Sequence, residues 1–294
     1  MRVFVTGASG HIASALIPEL VQAGHEVVGL ARSDASAAVV QALGAEVLRG
    51  DLDDLDGLRK GAADADAVVH LGFKHDAIAS GRFADAVADD LAVVRAFGDA
   101  LAGTGKALIG IGLTPTGNPQ RDAAIHANPR TAVAREIAGL TEHGVRTVLI
   151  AVPPVTHSPR DRSGFIPKLI GIARATGVSG YVGDGANRWP AGHALDVGRL
   201  FRLAVEKAPV GSQLHAATEE GVLVRDIAET IGRHLGVPAV SIPAEKAAEH
   251  FTGFPFAALD ITMSNAATRQ LLGWEPVHPG LIADLDNGHY FAGN

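Results

Sequence analysis

The sequence predicts an α/β fold, a doubly wound parallel sheet with a smaller C-terminal substrate-binding lobe. Three observations predict it. Short apolar runs alternate with helical stretches through the first half of the chain, the pattern of a parallel sheet covered on both faces. A glycine-rich turn, TGASG, joins the first strand directly to the first helix. After Pro153 the texture changes to a polar, Pro-rich loop, PPVTHSPRDRSG, followed by mixed short elements.

Val3–Thr6 is the first strand, and the first helix spans His11 to Ala23, with Gly24 as its stop and a kink expected at Pro18. Strand Glu26–Leu30, helix Ala35–Leu43 and strand Glu46–Leu48 follow. A helix over Leu55–Ala62 leads into the apolar strand Ala67–Leu71. The long helix Arg82–Leu101, strand Ala107–Ile111, helix Thr131–Thr141 and strand Thr147–Val152 complete the alternation. Beyond it lie helices Ile166–Ala175, Asp196–Lys207 and Val224–Leu235 and strands Gly180–Val182 and Gln213–Ala216. The expected division assigns 1–160 and 190–218 to a nucleotide-binding domain, and 161–189 and 219–294 to the lobe.

Composition bounds the function. The 25 Lys+Arg against 32 Asp+Glu give a net charge of −7, which argues against nucleic acid as a partner. With no Cys, a disulfide scaffold, a thiolate nucleophile and zinc–thiolate sites are excluded. This composition fits a cytoplasmic protein. The chain opens on strand and turn residues rather than a signal peptide, and no apolar run spans a bilayer, so no membrane role is expected. The 13 His residues show neither His-x-x-x-His nor HExxH spacing, so no metal site is expected. There is no G-x-S-x-G elbow and no P-loop.

The strongest motif is VFVTGASGHIASALIPEL. Gly7, Gly10 and Ala13 form G-x-x-G-x-x-A in the strand–turn–helix context of a dinucleotide-binding Rossmann turn. Gly7 permits the tight turn, Gly10 lets the backbone approach a pyrophosphate, and Ala13 allows close helix–strand packing. Ser9, Gly10, His11 and Ile12 then offer the anion-binding edge. The second strand ends LARSD, with Ala31 where an NAD-preferring site carries an acid. Arg32 and Ser33 suit a 2′-phosphate instead, so NADP(H) is preferred over NAD(H). The competing reading has Arg32 solvated and Asp34 on an NAD ribose. Asp51 and Leu52, in RGDLDD, are placed against the adenine, while Asp51–Asp54 also read as a helix cap. Leu71, Gly72 and Phe73 lie at the carboxyl edge of the sheet, where such folds bind ligands.

Taken together, TGASGHIA, RGDLDD, HLGF, PPVTHSP and the late LLGWEPVHPGL resemble the short-chain dehydrogenase/reductase superfamily. Over essentially the whole chain the sequence is similar to its extended, epimerase/dehydratase-like branch, in an atypical form. The resemblance implies an NAD(P)-binding enzyme acting on a small molecule, with Pro153 and Val155 in the loop after the sixth strand joining the cofactor site. The superfamily's Tyr-x-x-x-Lys is missing. The two Tyr residues are Tyr181 and Tyr290, and neither precedes a Lys by four positions. In NPRTAVARE, Arg130 falls at the Tyr position and Ala134 at the Lys position, and Gly112 stands near the usual Ser. Replacement candidates for catalysis are Thr114, His75, His157, Tyr181 and His193. Lys74 is a substitute cation, Arg130 a site for an anionic substrate group, and Asp196 a cap for the helix that follows it. Phe165, Ile166, Phe251, Phe254 and Phe256 suggest an apolar substrate pocket or a lobe core.

The function expected is an NADP(H)-dependent oxidoreductase acting on a small apolar or cyclic carbonyl or enone. The alternatives are an epimerase, dehydratase or isomerase that recycles its cofactor, and a non-catalytic NADP-binding sensor. A homodimer through the long helices is compatible with the pattern but not required by it.

Overall fold

A computed structural model describes residues 1–79, 81–113, 122–123 and 127–292. The chain divides into two compact units: 1–151, 197–214 and 267–274 form the first, and 152–196, 215–266 and 275–294 the second.

The first unit is built on a seven-stranded sheet. In chain order its strands are β1 (Arg2–Thr6), β2 (Glu26–Ala31), β3 (Glu46–Arg49), β4 (Ala67–His70), β5 (Ala107–Ile111), β6 (Arg146–Ala151) and, later, β10 (Ser212–His215). Their spatial order is β10-β6-β5-β4-β1-β2-β3. From β3 across to β6 each pairing is parallel, with Val3 opposite both Val27 and Ala67. This is the doubly wound order, and it reverses between β1 and β4, where such sheets open a ligand crevice at their carboxyl ends.

The strands read as continuous apolar runs because both of their faces are covered. Val3, Phe4, Val5, Val68, Val69, Leu108 and Ile109 are fully buried. Helix α1 (His11–Gln22) buries Ala13, Ala15, Leu16, Ile17 and Leu20, and it continues through Pro18. Helices α2 (Asp34–Ala42), α3 (Leu55–Ala63), α4 (His75–Ala79), α5 (Phe83–Leu101) and α6 (Thr131–Gly139) follow. Phe4 of β1 meets Phe97 of α5 edge-on at 6.2 Å, at the centre of the core formed by Leu58, Val68, Leu108 and Ile137.

The second unit holds a three-stranded sheet, β11 (Glu219–Leu223), β9 (Arg188–His193) and β7 (Val155–His157), and the pair β12 (Ala239–Ile242) and β8 (Ser179–Val182). Helix α7 (Phe165–Thr176) precedes β8; α8 (Ala194–Lys207), after β9, lies mostly in the first unit, as does α11 (Ala266–Leu272), while α9 (Val224–Leu235), α10 (Ala247–His250) and α12 (Leu281–Asp286) lie in the second. β9 pairs with β7 and β11 rather than with the seven-stranded sheet. That pairing carries residues 152–160 and 190–196 into the second unit, whereas the sequence division had placed them in the first. Phe165 packs against Trp189, Phe254 and Phe256 with ring centroids 4.8–5.4 Å apart. Ile166, Phe251 and Phe254 are buried in the same cluster. These residues therefore form the core of the lobe, with Phe256 at its exposed edge. Among the described residues no helix is long and apolar enough to cross a membrane.

Candidate functional site

The glycine turn has the geometry the motif requires. Gly7 adopts φ +63°, and a Cβ there would lie 2.7 Å from the Leu71 carbonyl and 2.8 Å from the Gly72 nitrogen. Only glycine fits, because the backbone that follows β4 passes directly against the turn that follows β1. The turn closes with Gly10 N–H donating to the Gly7 carbonyl at 2.9 Å. Gly10 caps α1 in extended geometry with no side-chain hydrogen bond, and the first turn carries no acidic residue. Neither a side chain on Gly10 nor an acidic residue in the first turn competes there with an anion for the helix dipole. Ser9 and Gly10 are exposed, His11 and Ile12 half-buried, and Ala13 is buried against the sheet.

Arg32 follows β2 with its side chain 71% exposed and 3.4 Å from Asp76, a pairing that water readily competes with. Ser33 caps α2: its hydroxyl accepts from the Ser36 N–H, and the Ser36 hydroxyl closes a capping box. Asp34 is fully exposed and pairs with Arg49 at 2.9 Å. Asp51 accepts from the Asp53 and Asp54 N–H groups at 2.8 and 3.2 Å, forming a turn, and Asp54 itself caps α3 through Gly57. Leu52 packs partly buried near Gly72.

A buried polar chain lies beneath the carboxyl edge of the sheet. The Gly72 N–H donates to Thr6 Oγ1 at 3.1 Å, which lies 2.6 Å from His70 Nδ1. His70 Nε2 is 2.8 Å from Asp90 Oδ1, and Asp90 Oδ2 is 3.5 Å from the Arg130 guanidinium. The tautomer that satisfies every contact has Nε2–H donating to Asp90 and Nδ1 accepting the Thr6 hydroxyl. Arg130 stacks over the Phe73 ring at 4.2 Å. Burial lowers the pKa of its guanidinium, and the Asp90 charge opposes that. Arg130 is therefore tied into the wall rather than presented as a free anion site. Lys74 is held between Asp53 and Asp89, and those hydrogen bonds raise its pKa, so it is a structural cation rather than a free substitute.

The catalytic candidates separate. Thr114 lies outside the described residues. His75 opens α4, exposed, with its ring edge-on to Phe73 at 5.3 Å. In the second unit Tyr181 is half-buried on β8 with Arg225 over its ring at 5.6 Å. Pro153 and Val155 lie in that unit too, both buried, and Val155 belongs to its core. The structure brings His157 and His193 together. They are register partners at the ends of β7 and β9, with ring centroids 5.2 Å apart.

Around them sit residues that the sequence reading missed. His157 Nδ1 donates to Asp284 Oδ2 at 2.8 Å, and His289 Nε2 lies 3.7 Å from the same oxygen. His193 stacks on His278 at 4.8 Å. Burial, and then the neighbouring His157, lower the His193 pKa to about 4, so this ring is neutral at neutral pH. Burial raises the Asp284 carboxyl, but the hydrogen bond and charge of His157 outweigh it and hold the group below its ordinary range. Asp196 does not cap α8 from outside. It lies within the first turn of the helix and accepts from the Val277 N–H, the His278 N–H and His278 Nδ1 at 2.9–3.0 Å. Tyr290 donates to Asp161 and accepts from the Ser158 N–H, and burial followed by the Asp161 charge raises its pKa well above the usual phenol value.

Residues 3–109 match the family model described as the NAD dependent epimerase/dehydratase family. An uncharacterised protein of Schizosaccharomyces pombe is 41% identical over 300 residues, covering 99% of this chain and 100% of its own. The 4-hydroxy-2-methyl-3-oxo-4-farnesyl-3,4-dihydroquinoline-1-oxide ketoreductase of Stigmatella aurantiaca is 28% identical over 272 residues, 85% of this chain and 79% of its own. The structure of UDP-glucuronic acid 4-epimerase from Bacillus cereus, in complex with UDP-glucuronic acid and NAD, superposes with a TM-score of 0.74 at 18% identity, covering 98% of each chain. At that identity the likeness is one of fold.

Proposed function

The chain belongs to the NAD dependent epimerase/dehydratase family, and on that premise we propose that it is an NADP(H)-dependent oxidoreductase. Its substrate in this reading is a small apolar or cyclic carbonyl compound or enone. The observation that carries the proposal is the β1–α1 turn. Gly7 is fixed at positive φ against the backbone that follows β4, and Gly10 brings no side-chain cap to α1. A dinucleotide pyrophosphate has the charge and shape for that cradle. The relative named as a ketoreductase supports oxidoreductase chemistry within the family.

In this reading Gly7, Ser9, Gly10, His11 and Ile12 hold the pyrophosphate. Arg32 exchanges its weak surface contact with Asp76 for the 2′-phosphate, beside the start of α2 that Ser33 caps. Asp51 and Leu52 flank the adenine. Leu71, Gly72 and Phe73 line the carboxyl edge, with Phe73 fixed under Arg130. When bound, the nicotinamide supplies or accepts a hydride at the substrate carbon. Arg130 holds its proton at any working pH and cannot act as the phenol would. The balancing proton therefore comes from a group other than a Tyr–Lys pair.

The test is calorimetric titration of the purified protein with NADPH and NADH, with Arg32→Ala alongside. The expected result is tighter binding of NADPH, weakened by about tenfold or more in the variant while NADH binding is unchanged. NADPH oxidation is then followed across a panel of cyclic and apolar ketones and enones. Binding of neither nucleotide would remove the cofactor assignment. Binding without turnover across the panel would remove the oxidoreductase assignment.

A further inference from the structure

His157, His193 and Asp284 form a second site of a different kind. We infer that these three side chains bind a divalent first-row transition-metal ion, with His289 as the fourth protein donor within reach. One ligand atom from each of the three lies within 4.8 Å of the others, and all three residues are buried.

The fold builds this set from four separate places. His157 ends β7 and His193 ends β9, and their parallel register puts the two Cα atoms directly opposite, so both imidazoles leave the sheet on one face. Helix α12 delivers Asp284 to His157 at 2.8 Å. The segment after that helix delivers His289, with Nε2 at 3.7 Å from Asp284 Oδ2. His157 is 0% exposed, and its Nδ1 and Asp284 Oδ2 stand 2.8 Å apart, a separation that two neighbouring ligand atoms of one ion have, so the ion would take the place of the proton between them. His289 Nε2, buried without a hydrogen-bond partner, faces the same oxygen. A buried ring nitrogen without a partner is costly, and an ion bound there removes that cost.

The donor set selects the class of ion. Two or three imidazoles with one carboxylate favour zinc, cobalt or iron(II). Magnesium and calcium take mainly oxygen ligands, and soft ions need the thiolates this chain does not contain. His278, stacked on His193 and bonded to Asp196, supports the site from outside by fixing the plane of the His193 ring. The ion would tie β7, β9 and α12 together. The assignment is independent of the cofactor reading, since every residue in it belongs to the second unit.

The experiment uses the full chain without an affinity tag, treated with chelator and then titrated with Zn²⁺ by calorimetry and with Co²⁺ by visible absorption. One ion per chain is expected, with the intense visible bands of low-coordinate cobalt and a rise in thermal stability. His193→Gln and Asp284→Asn should each weaken binding by about 100-fold and abolish the thermal shift. Where a variant fails to fold, X-ray absorption of the zinc-loaded wild type decides, because the inference requires imidazole scattering from at least two His ligands. Binding that is non-stoichiometric, unchanged in folded variants, or free of imidazole scattering would overturn it.

Discussion

Gly10→Ala separates an anion-binding turn from an ordinary one. The backbone at Gly10 has φ −81° and ψ 173°, which any residue adopts, so an added methyl brings no conformational strain. Its one close neighbour would be the Gly7 carbonyl oxygen at 3.0 Å, relieved by a shift of a few tenths of an ångström. Alanine is a poorer helix cap than glycine, but the two together cost only about 1 kcal/mol, or about 2–4 °C in melting temperature for a chain of this size. The same methyl would stand where a pyrophosphate must approach the first N–H groups of α1, and NADPH affinity should fall at least about tenfold, or about 1.4 kcal/mol. Gly7→Ala is the contrasting case. The left-handed conformation costs alanine about 1–2 kcal/mol, and its methyl would meet three backbone atoms of Leu71 and Gly72, just after β4, within 2.8 Å. Those atoms cannot rotate away, so stability should fall by more than about 3 kcal/mol. Thermal denaturation and calorimetry on both variants read the outcome. A Gly10→Ala protein that folds and binds NADPH like the wild type would show that no nucleotide approaches this backbone.

Three further outcomes follow from other parts of the structure. Asp196→Ala removes a fully buried carboxylate that accepts from two backbone N–H groups and His278, and urea unfolding should show a loss of about 3–5 kcal/mol. Arg130→Met leaves the buried Asp90 with His70 as its remaining partner and should cost about 3 kcal/mol, whereas adding Asp90→Asn should recover much of it, a coupling that a double-mutant cycle measures. Burial raises the Glu206 carboxyl, but hydrogen bonds from His25 and Arg202 outweigh this and hold its pKa below the ordinary value of 4.5. Its contribution to stability is therefore complete above that value and is lost as pH falls through the lower, folded-state pKa. Glu206→Gln should flatten that acid limb in a series of melts.

The sheet was legible in the sequence because its signal is local. Runs such as VFVT and AVVH alternate with helices, two of which, α2 and α3, carry their own capping residues, Ser33 and Asp54, and the β1–α1 turn encodes its geometry in three small residues. The substrate lobe was less legible. The sequence reading expects no strand at 188–193 and gives 190–218 to the nucleotide-binding domain, and only the register of β9 with β7 and β11 shows it in the lobe. The histidine cluster carried no local signal at all. His157 and Asp284 are 127 positions apart, so a search for metal-ligand spacing could not pair them. His70 and Asp90 left a faint trace, a polar residue closing one apolar strand and another inside an apolar helix. Burial of the two was needed to read them as partners.

The polar chain at the switch point explains why loss of the Tyr–Lys pair need not disturb the cofactor half. By resemblance, the Tyr position is taken by Arg130 and the Lys position by Ala134, which is buried and brings no charge. Arg130 turns instead to Asp90 and Phe73, and through His70 and Thr6 the same chain of contacts ends at the Gly72 N–H, beside the backbone that Gly7 touches. A guanidinium in this position fixes the wall of the site but cannot deliver a proton, since it stays charged at every pH the fold survives. On the proposed function, cofactor binding and proton transfer, which the usual pair couples through one Lys, fall to different groups in this chain. On that proposal the proton donor is a group that can change protonation state. That requirement excludes Arg130.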